Sequence, residues 1–316
     1  VSEFWAARAP KQKKAGAPSA YVELQRLVQG YGVGGTAPEV LLFGDSVMER
    51  VAEQDKDRRP LAKMLIDAYA ERGISVCDVT HTAYPPRLFA RLLEVLRVLP
   101  LRPRLVVLPL NLRAFSSQWR LHPEYGFAAE LAATAQFIQD PSAGVPALCH
   151  ERMEPLDYRD MYEQTDAQAV EISGYGKYFV GDLRMALHTK PMTQWGYRRR
   201  KELIFAWHYM FDWREDNEQL TWLRSCLMML RDMQIPVRCY ITPVNYEGGV
   251  EFCGAAFGHA VELNSDALVA VGRRDAIGVD DWGRSLTREN FFSPDDATEH
   301  LNEAGRKWLV SQIARG

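Results

Sequence analysis

The chain lacks a paired-cysteine framework. Its five cysteines (Cys77, Cys149, Cys226, Cys239 and Cys253) are odd in number and contain no C-x-x-C pair. That fits buried reduced thiols and a reducing compartment better than a disulfide scaffold. The chain also lacks any run approaching the roughly 20 apolar residues needed to span a bilayer. Residues 1–20 contain no apolar signal core. A cytoplasmic protein is therefore expected, with the chain starting at Val1 leaving room for an upstream segment. A net charge of only −3 gives no electrostatic reason to expect nucleic acid or an anionic membrane as partner. The GVGG run at Gly32–Gly35 lacks the Lys-Ser/Thr ending of a phosphate loop. Cys149-His150-Glu151 has no second Cys/His pair at ligand spacing. No metal and no cofactor are expected.

What is present is an alternation of apolar runs and amphipathic stretches. Short runs at 39–43, 74–80, 105–110, 237–242 and, weakly, 276–279 read as buried strands. Between them lie helical patterns at 21–29, 61–72, 87–99 (Leu88, Leu92, Leu93, Leu96 and Leu99 on one face), about 215–233 and about 302–313. Apolar strands separated by helices imply a parallel sheet covered on both faces, with right-handed crossovers. Residues 1–19 read as a flexible lead-in.

The interval between the third and fourth strands is far longer than one crossover needs. Residues 115–212 are therefore an insertion into an α/β domain built from 20–114 and 213–316. It holds Trp119, Trp195, Trp207 and several tyrosines, Tyr125, Tyr158, Tyr162, Tyr197 and Tyr209 among them. A helical subdomain with its own core and a cap over the ligand crevice both fit, since insertions at the C-terminal ends of strands usually overlie that crevice.

Three short segments carry chemistry. The first strand ends in Gly44-Asp45-Ser46 and runs into a helix-like stretch. Ser46 then lies near a helix N-terminus, where backbone N–H groups favour a developing negative charge. A serine or aspartate there is also an ordinary N-cap. The third strand ends in Asn111, whose amide can point at the same oxyanion or simply bond its own turn. His300 precedes the last helix, where it is either a base for Ser46 or a solvated helix-start residue, with Asp295 and Asp296 upstream to orient it. Arg113 is a candidate anion contact or an ion-pair anchor. Asn245 and Tyr246, after the fourth strand, and Asp45 are candidate substrate contacts. His81, Glu49 and Arg50 lie nearby.

In this order and at these strand ends, Gly44-Asp45-Ser46, Asn111 and His300-Leu301-Asn302 resemble the SGNH/GDSL hydrolase family. Thr242-Pro243-Val244-Asn245 is faintly similar to the D-alanyl transfer and alginate O-acetylation branches. The resemblance covers about 38–112 and 234–314. It implies a flavodoxin-like three-layer α/β/α sandwich with a five-stranded parallel sheet in the order 2-1-3-4-5, and it leaves the large helical insertion between strands 3 and 4 unexplained. It further implies an esterase or acyltransferase acting on a small-molecule or carbohydrate ester, with Ser46, His300 and Asp296 catalytic and Ser46, Ala83 and Asn111 forming the oxyanion hole. An acyl carrier protein is a further candidate partner.

Two departures qualify the match. The family's glycine after the second strand is replaced by Ala83. The position three before His300 is Ala297, so Asp296, Asp295, Glu299 or the backbone must orient the imidazole. A non-catalytic binding module on the same fold, and an insertion used for docking, stay open as alternatives.

Overall fold

The computed structural model describes residues 19–116, 126–149, 163–188, 196–211 and 217–315. Five parallel strands form the main sheet: β1 (Val40–Leu42), β2 (Val76–Asp78), β3 (Leu105–Leu110), β6 (Val237–Ile241) and β7 (Val279–Asp281), in the order β2-β1-β3-β6-β7. This is the expected 2-1-3-4-5 order. The numbering shifts because the insertion contributes an antiparallel pair of its own, β4 (Ala169–Ile172) with β5 (Gly176–Phe179).

Alternation along the strands sets the layers. Leu41, Val106, Leu108, Cys239 and Ile241 feed one apolar cluster, whereas Val40, Leu42, Val107 and Tyr240 feed another on the opposite face. The second face is covered by α3 (Leu61–Ala70) and α11 (Glu303–Ile313), through Leu61, Leu65, Leu309 and Ile313. The first is covered by α1 (Val22–Tyr31), α4 (Pro86–Val98), α8 (Glu218–Asp232) and α10 (Ala255–Arg274). The result is a three-layer α/β/α arrangement. The leucine face of α4 is fully sequestered at Leu88, Leu92, Leu93 and Leu96, each contributing about 1.5–3 kcal/mol by removal from water. Proline at the first position of α4 needs no intrahelical N–H partner. Asn217 caps α8, accepting from the Gln219 and Leu220 amides.

Two elements differ from expectation. The helix after Ser46 is a single turn, α2 (Ser46–Glu49), because the chain turns extended at Arg50. The segment between β6 and β7 is almost wholly helical, as α9 (Tyr246–Cys253) followed by the 20-residue α10.

The insertion includes α5 (Ala128–Gln139), the β4–β5 hairpin, α6 (Val180–His188) and α7 (Tyr197–Tyr209). It is therefore mixed rather than purely helical. Its buried residues Phe137, Ile172, Leu183, Leu203 and Phe205 join the same apolar cluster as the sheet, so no separate core divides it from the α/β domain. Phe205 stacks on Phe252 of α9 at 5.8 Å and meets Phe257 of α10 edge-on at 5.6 Å. Trp119, Trp195, Tyr125, Tyr158 and Tyr162 lie outside the described residues.

Cys77, Cys226 and Cys239 are buried and Cys149 is exposed. Every described cysteine is a free thiol. No described helix is long and apolar enough to cross a membrane.

Candidate active site

Gly44 sets the entry to the site. A Cβ there would lie 2.1 Å from Met48 Cγ and 3.0 Å from Thr80 Cγ2. Only glycine lets the α2 turn fold back tightly on the end of β1. Asp45 is the N-cap of that turn, its Oδ1 accepting from the Val47 amide at 2.9 Å. Ser46 follows as the first helical residue, so its own N–H has no intrahelical acceptor. One helical turn generates little macrodipole. The negative-charge preference expected of a longer helix thus reduces here to discrete N–H donors.

β3 delivers Asn111 beside Asp45. Asn111 Nδ2 donates to Asp45 Oδ2 at 3.0 Å, and its Oδ1 accepts from the Arg113 amide at 3.0 Å. These bonds fix the plane of the amide and leave one N–H of Nδ2 for another acceptor. Asp45 and Asn111 are both buried. Burial pushes the Asp45 carboxyl up, opposed by the Val47 and Asn111 bonds and by Arg113. Asp45 is thereby a strut between β1 and β3 rather than a substrate contact.

Ala83 adopts φ +68°, the left-handed region that glycine favours. Ala83 thus holds a backbone conformation suited to glycine, with a methyl group added. Among the described residues the Ala83 amide donates to no group. Next to it, the His81 ring Nδ1 donates to the Thr82 carbonyl at 2.9 Å, and the ring lies 4.6 Å from that of Tyr84. Glu49 accepts from the Thr82 hydroxyl.

His300 reaches this cluster from the segment before α11. Its Nε2 lies 3.0 Å from Ser46 Oγ. The backbone is pinned on both sides: the His300 amide donates to Thr298 Oγ1 at 3.0 Å, and the Phe292 amide donates to the His300 carbonyl at 3.0 Å. Burial, reinforced by the Arg113 and Arg50 guanidinium groups, pushes the imidazole down to about 3. His300 is therefore neutral near pH 7, able to accept a proton and reluctant to keep it.

Neither expected aspartate bonds His300. Asp296 is half-exposed and pairs with Lys201 of α7. Asp295 accepts from the Tyr197 hydroxyl at 2.8 Å and pairs with Arg288. The loop carries both carboxylates outward to cations on neighbouring elements, where water still reaches them.

Glu299 is fully buried instead. It accepts from the Tyr209 hydroxyl at 2.5 Å and pairs with Arg113 Nη2 at 2.9 Å. Burial pushes its carboxyl up, against the lowering by Arg113 and Tyr209. Arg113 is thus engaged as an internal ion-pair anchor.

Asn245 is likewise not a pocket residue. It is fully buried, caps α9 through the Gly248 amide, and spends both Nδ2 hydrogens on the Pro294 and Asp296 carbonyls at 2.8 and 2.9 Å. Tyr246 lies against Phe257, ring centroids 6.2 Å apart.

Sequence reasoning missed Tyr197, Lys201 and Tyr209. Their signal was the i, i+4, i+12 spacing on α7. Among the described residues no group of three or more His, Cys, Asp or Glu is placed to hold a metal ion. No family model and no curated protein matches the chain.

Proposed function

We propose that the protein is a serine-dependent acyl-transfer enzyme of the SGNH type, an esterase or O-acyltransferase, working with a Ser46–His300 dyad. The observation that carries this reading is the 3.0 Å approach of His300 Nε2 to Ser46 Oγ at the C-terminal ends of adjacent parallel strands. Ligands of open α/β sheets bind at such a crevice.

In the proposed reaction the Ser46 hydroxyl gives its proton to His300 Nε2 as Oγ attacks an ester or thioester carbonyl. The oxyanion is held by the Ser46 and Ala83 N–H groups and the remaining Nδ2 hydrogen of Asn111. The imidazolium then protonates the departing alcohol or thiol. Water, or an acceptor hydroxyl or amine, then loses its proton to His300 as it attacks the acyl group, and the imidazolium returns that proton to Ser46 Oγ as the acyl–serine bond breaks. Burial and two neighbouring arginines make the imidazolium costly. The developing oxyanion beside it offsets part of that cost.

Fluorophosphonate labelling followed by intact mass tests the reading. One adduct on the native chain and none on Ser46→Ala is expected. No native adduct, or an equal adduct on Ser46→Ala, overturns it. A second reading, a binding module that keeps the pair without turnover, is favoured by one feature: none of Asp295, Asp296 and Glu299 hydrogen-bonds His300. It predicts no adduct.

A further inference from the structure

We infer that helix α7 of the insertion is the platform that holds His300 against Ser46, and that Tyr209 is a positioning residue acting through Glu299. The inference rests on the Ser46–His300 reading and assigns the insertion a task within it.

Three contacts run from α7 to the short segment carrying His300. Tyr197 donates to Asp295, Lys201 pairs with Asp296, and Tyr209 donates to Glu299. With Phe205, these residues follow the i+4 row of the helix, a continuous ridge on one inclined line. Phe205 seats that ridge on α9 and α10. The gripped segment has no helix or strand of its own between Phe291 and Leu301; the Phe291–Leu301 bridge and the Phe292–His300 bond close it at its base, and the external bonds set how it leans toward Ser46. Asn245 adds two from below.

Glu299 is the decisive member. A carboxylate with no exposed surface is costly, and an apolar residue would pack as well for stability alone. Here the carboxylate joins three pieces: Tyr209 on the insertion, Arg113 on the turn that also orients Asn111, and His300 one residue along the chain. Among the described residues no carboxylate bonds the imidazole. The backbone on either side of the ring is fastened instead, and the fastening reaches α7.

The experiment compares Tyr209→Phe, which removes one hydroxyl and keeps the ring against Phe257 (5.8 Å), with Lys201→Met, Lys201→Arg and Tyr197→Phe. Two readouts are taken at pH 7. The first is the fluorophosphonate labelling rate of Ser46 against probe concentration. The second is the His300 ring resonances, assigned by difference with His300→Asn among the seven histidines. Tyr209→Phe is expected to shift or broaden the His300 resonances. It is also expected to slow maximal labelling about tenfold, the scale of one hydrogen bond to a charged group, with half-saturation unchanged. Lys201→Met is expected to act in the same direction by less, and Lys201→Arg to restore native behaviour.

Unmoved His300 resonances in folded Tyr209→Phe overturn the inference. If Tyr209→Phe does not fold, unmoved resonances in both Lys201→Met and Tyr197→Phe overturn it. Absence of any native labelling defeats the enzymatic reading instead, and the ring spectra still decide the positioning role.

Discussion

The two halves of the candidate site are built differently. The serine half is local to the sheet: Gly44, Asp45 and Ser46 at the end of β1, Ala83 beyond β2, and Asn111 at the end of β3, cross-braced by one buried Asp45–Asn111 bond. The histidine half rests on a loop held from outside, by α7, by Arg113 and by Asn245. Strand ends position Ser46, and the insertion reaches this half only indirectly among the described residues, through Tyr209, Glu299 and Arg113. The His300 segment takes part of its support from the packed insertion. Substitutions on the first half should therefore strike chemistry directly, whereas those on the second should act through stability or through the placement of the imidazole.

The largest expected effect is that of Ser46→Ala. It should lower acyl turnover by 10³-fold or more, on the order seen when a catalytic nucleophile is removed, with the unfolding midpoint close to native; a panel of p-nitrophenyl esters and acyl thioesters reads it. Asn111→Leu comes next on the same half, with a loss of about 10²–10³ in kcat from one missing oxyanion donor. Comparable activity in Asn111→Leu would remove it from the oxyanion hole.

On the histidine half, Arg113→Met leaves a buried carboxylate without its cation. It should destabilise the fold by about 3–5 kcal/mol in urea titration. A change under about 1 kcal/mol would mean that Glu299 is neutral in the native state.

The pH dependence separates the halves in another way. The folded His300 pKa of about 3 lies below the unfolded value near 6.5. The unfolded chain therefore binds the extra proton between those limits. The His300 contribution to stability is intact above about pH 6.5 and is lost progressively as pH falls toward 3. In activity, the acid limb of kcat/KM should lie below pH 5 instead of near 6.5. A midpoint at 6.5 would show that burial and the two arginines do not depress the imidazole in solution. The smallest effect is expected of Asp296→Asn. Its pair with Lys201 is half-exposed and worth about 0–1 kcal/mol, so activity should fall by less than about fivefold. Loss of a triad carboxylate would cost about 10⁴.

The parts legible in the sequence were those written in contiguous residues. β1 and β3 are unbroken apolar runs, β6 is interrupted only by Arg238, and α4 shows its leucine face in the spacing alone. Ser46 and Asn111 sit where such runs end, and His300 lies just before the last helical pattern, so finding the strands placed the first two and the closing helix placed the third. The orienting carboxylate was not legible, because Asp295, Asp296 and Glu299 are neighbours in sequence. Only the direction of the loop decides which one is buried, and that direction is set by Lys201 and Tyr209 roughly 90 residues upstream. α10 escaped notice for a different reason. Its inward positions include Gly258, Asn264, Ser265 and Gly272 beside Phe257, Val261, Leu268 and Val271, which dilutes the apolar period. The β4–β5 hairpin alternates only weakly, with its outward Phe179 57% exposed.

The 254-residue separation of Ser46 and His300 also orders events in time. At roughly 5–20 residues per second, about 13–50 s pass between synthesis of the serine and of the histidine. The sheet strands β1, β2 and β3 and the whole insertion emerge in that interval. The nascent chain thus carries Ser46 without its His300 partner until the segment that docks on α7 has left the ribosome.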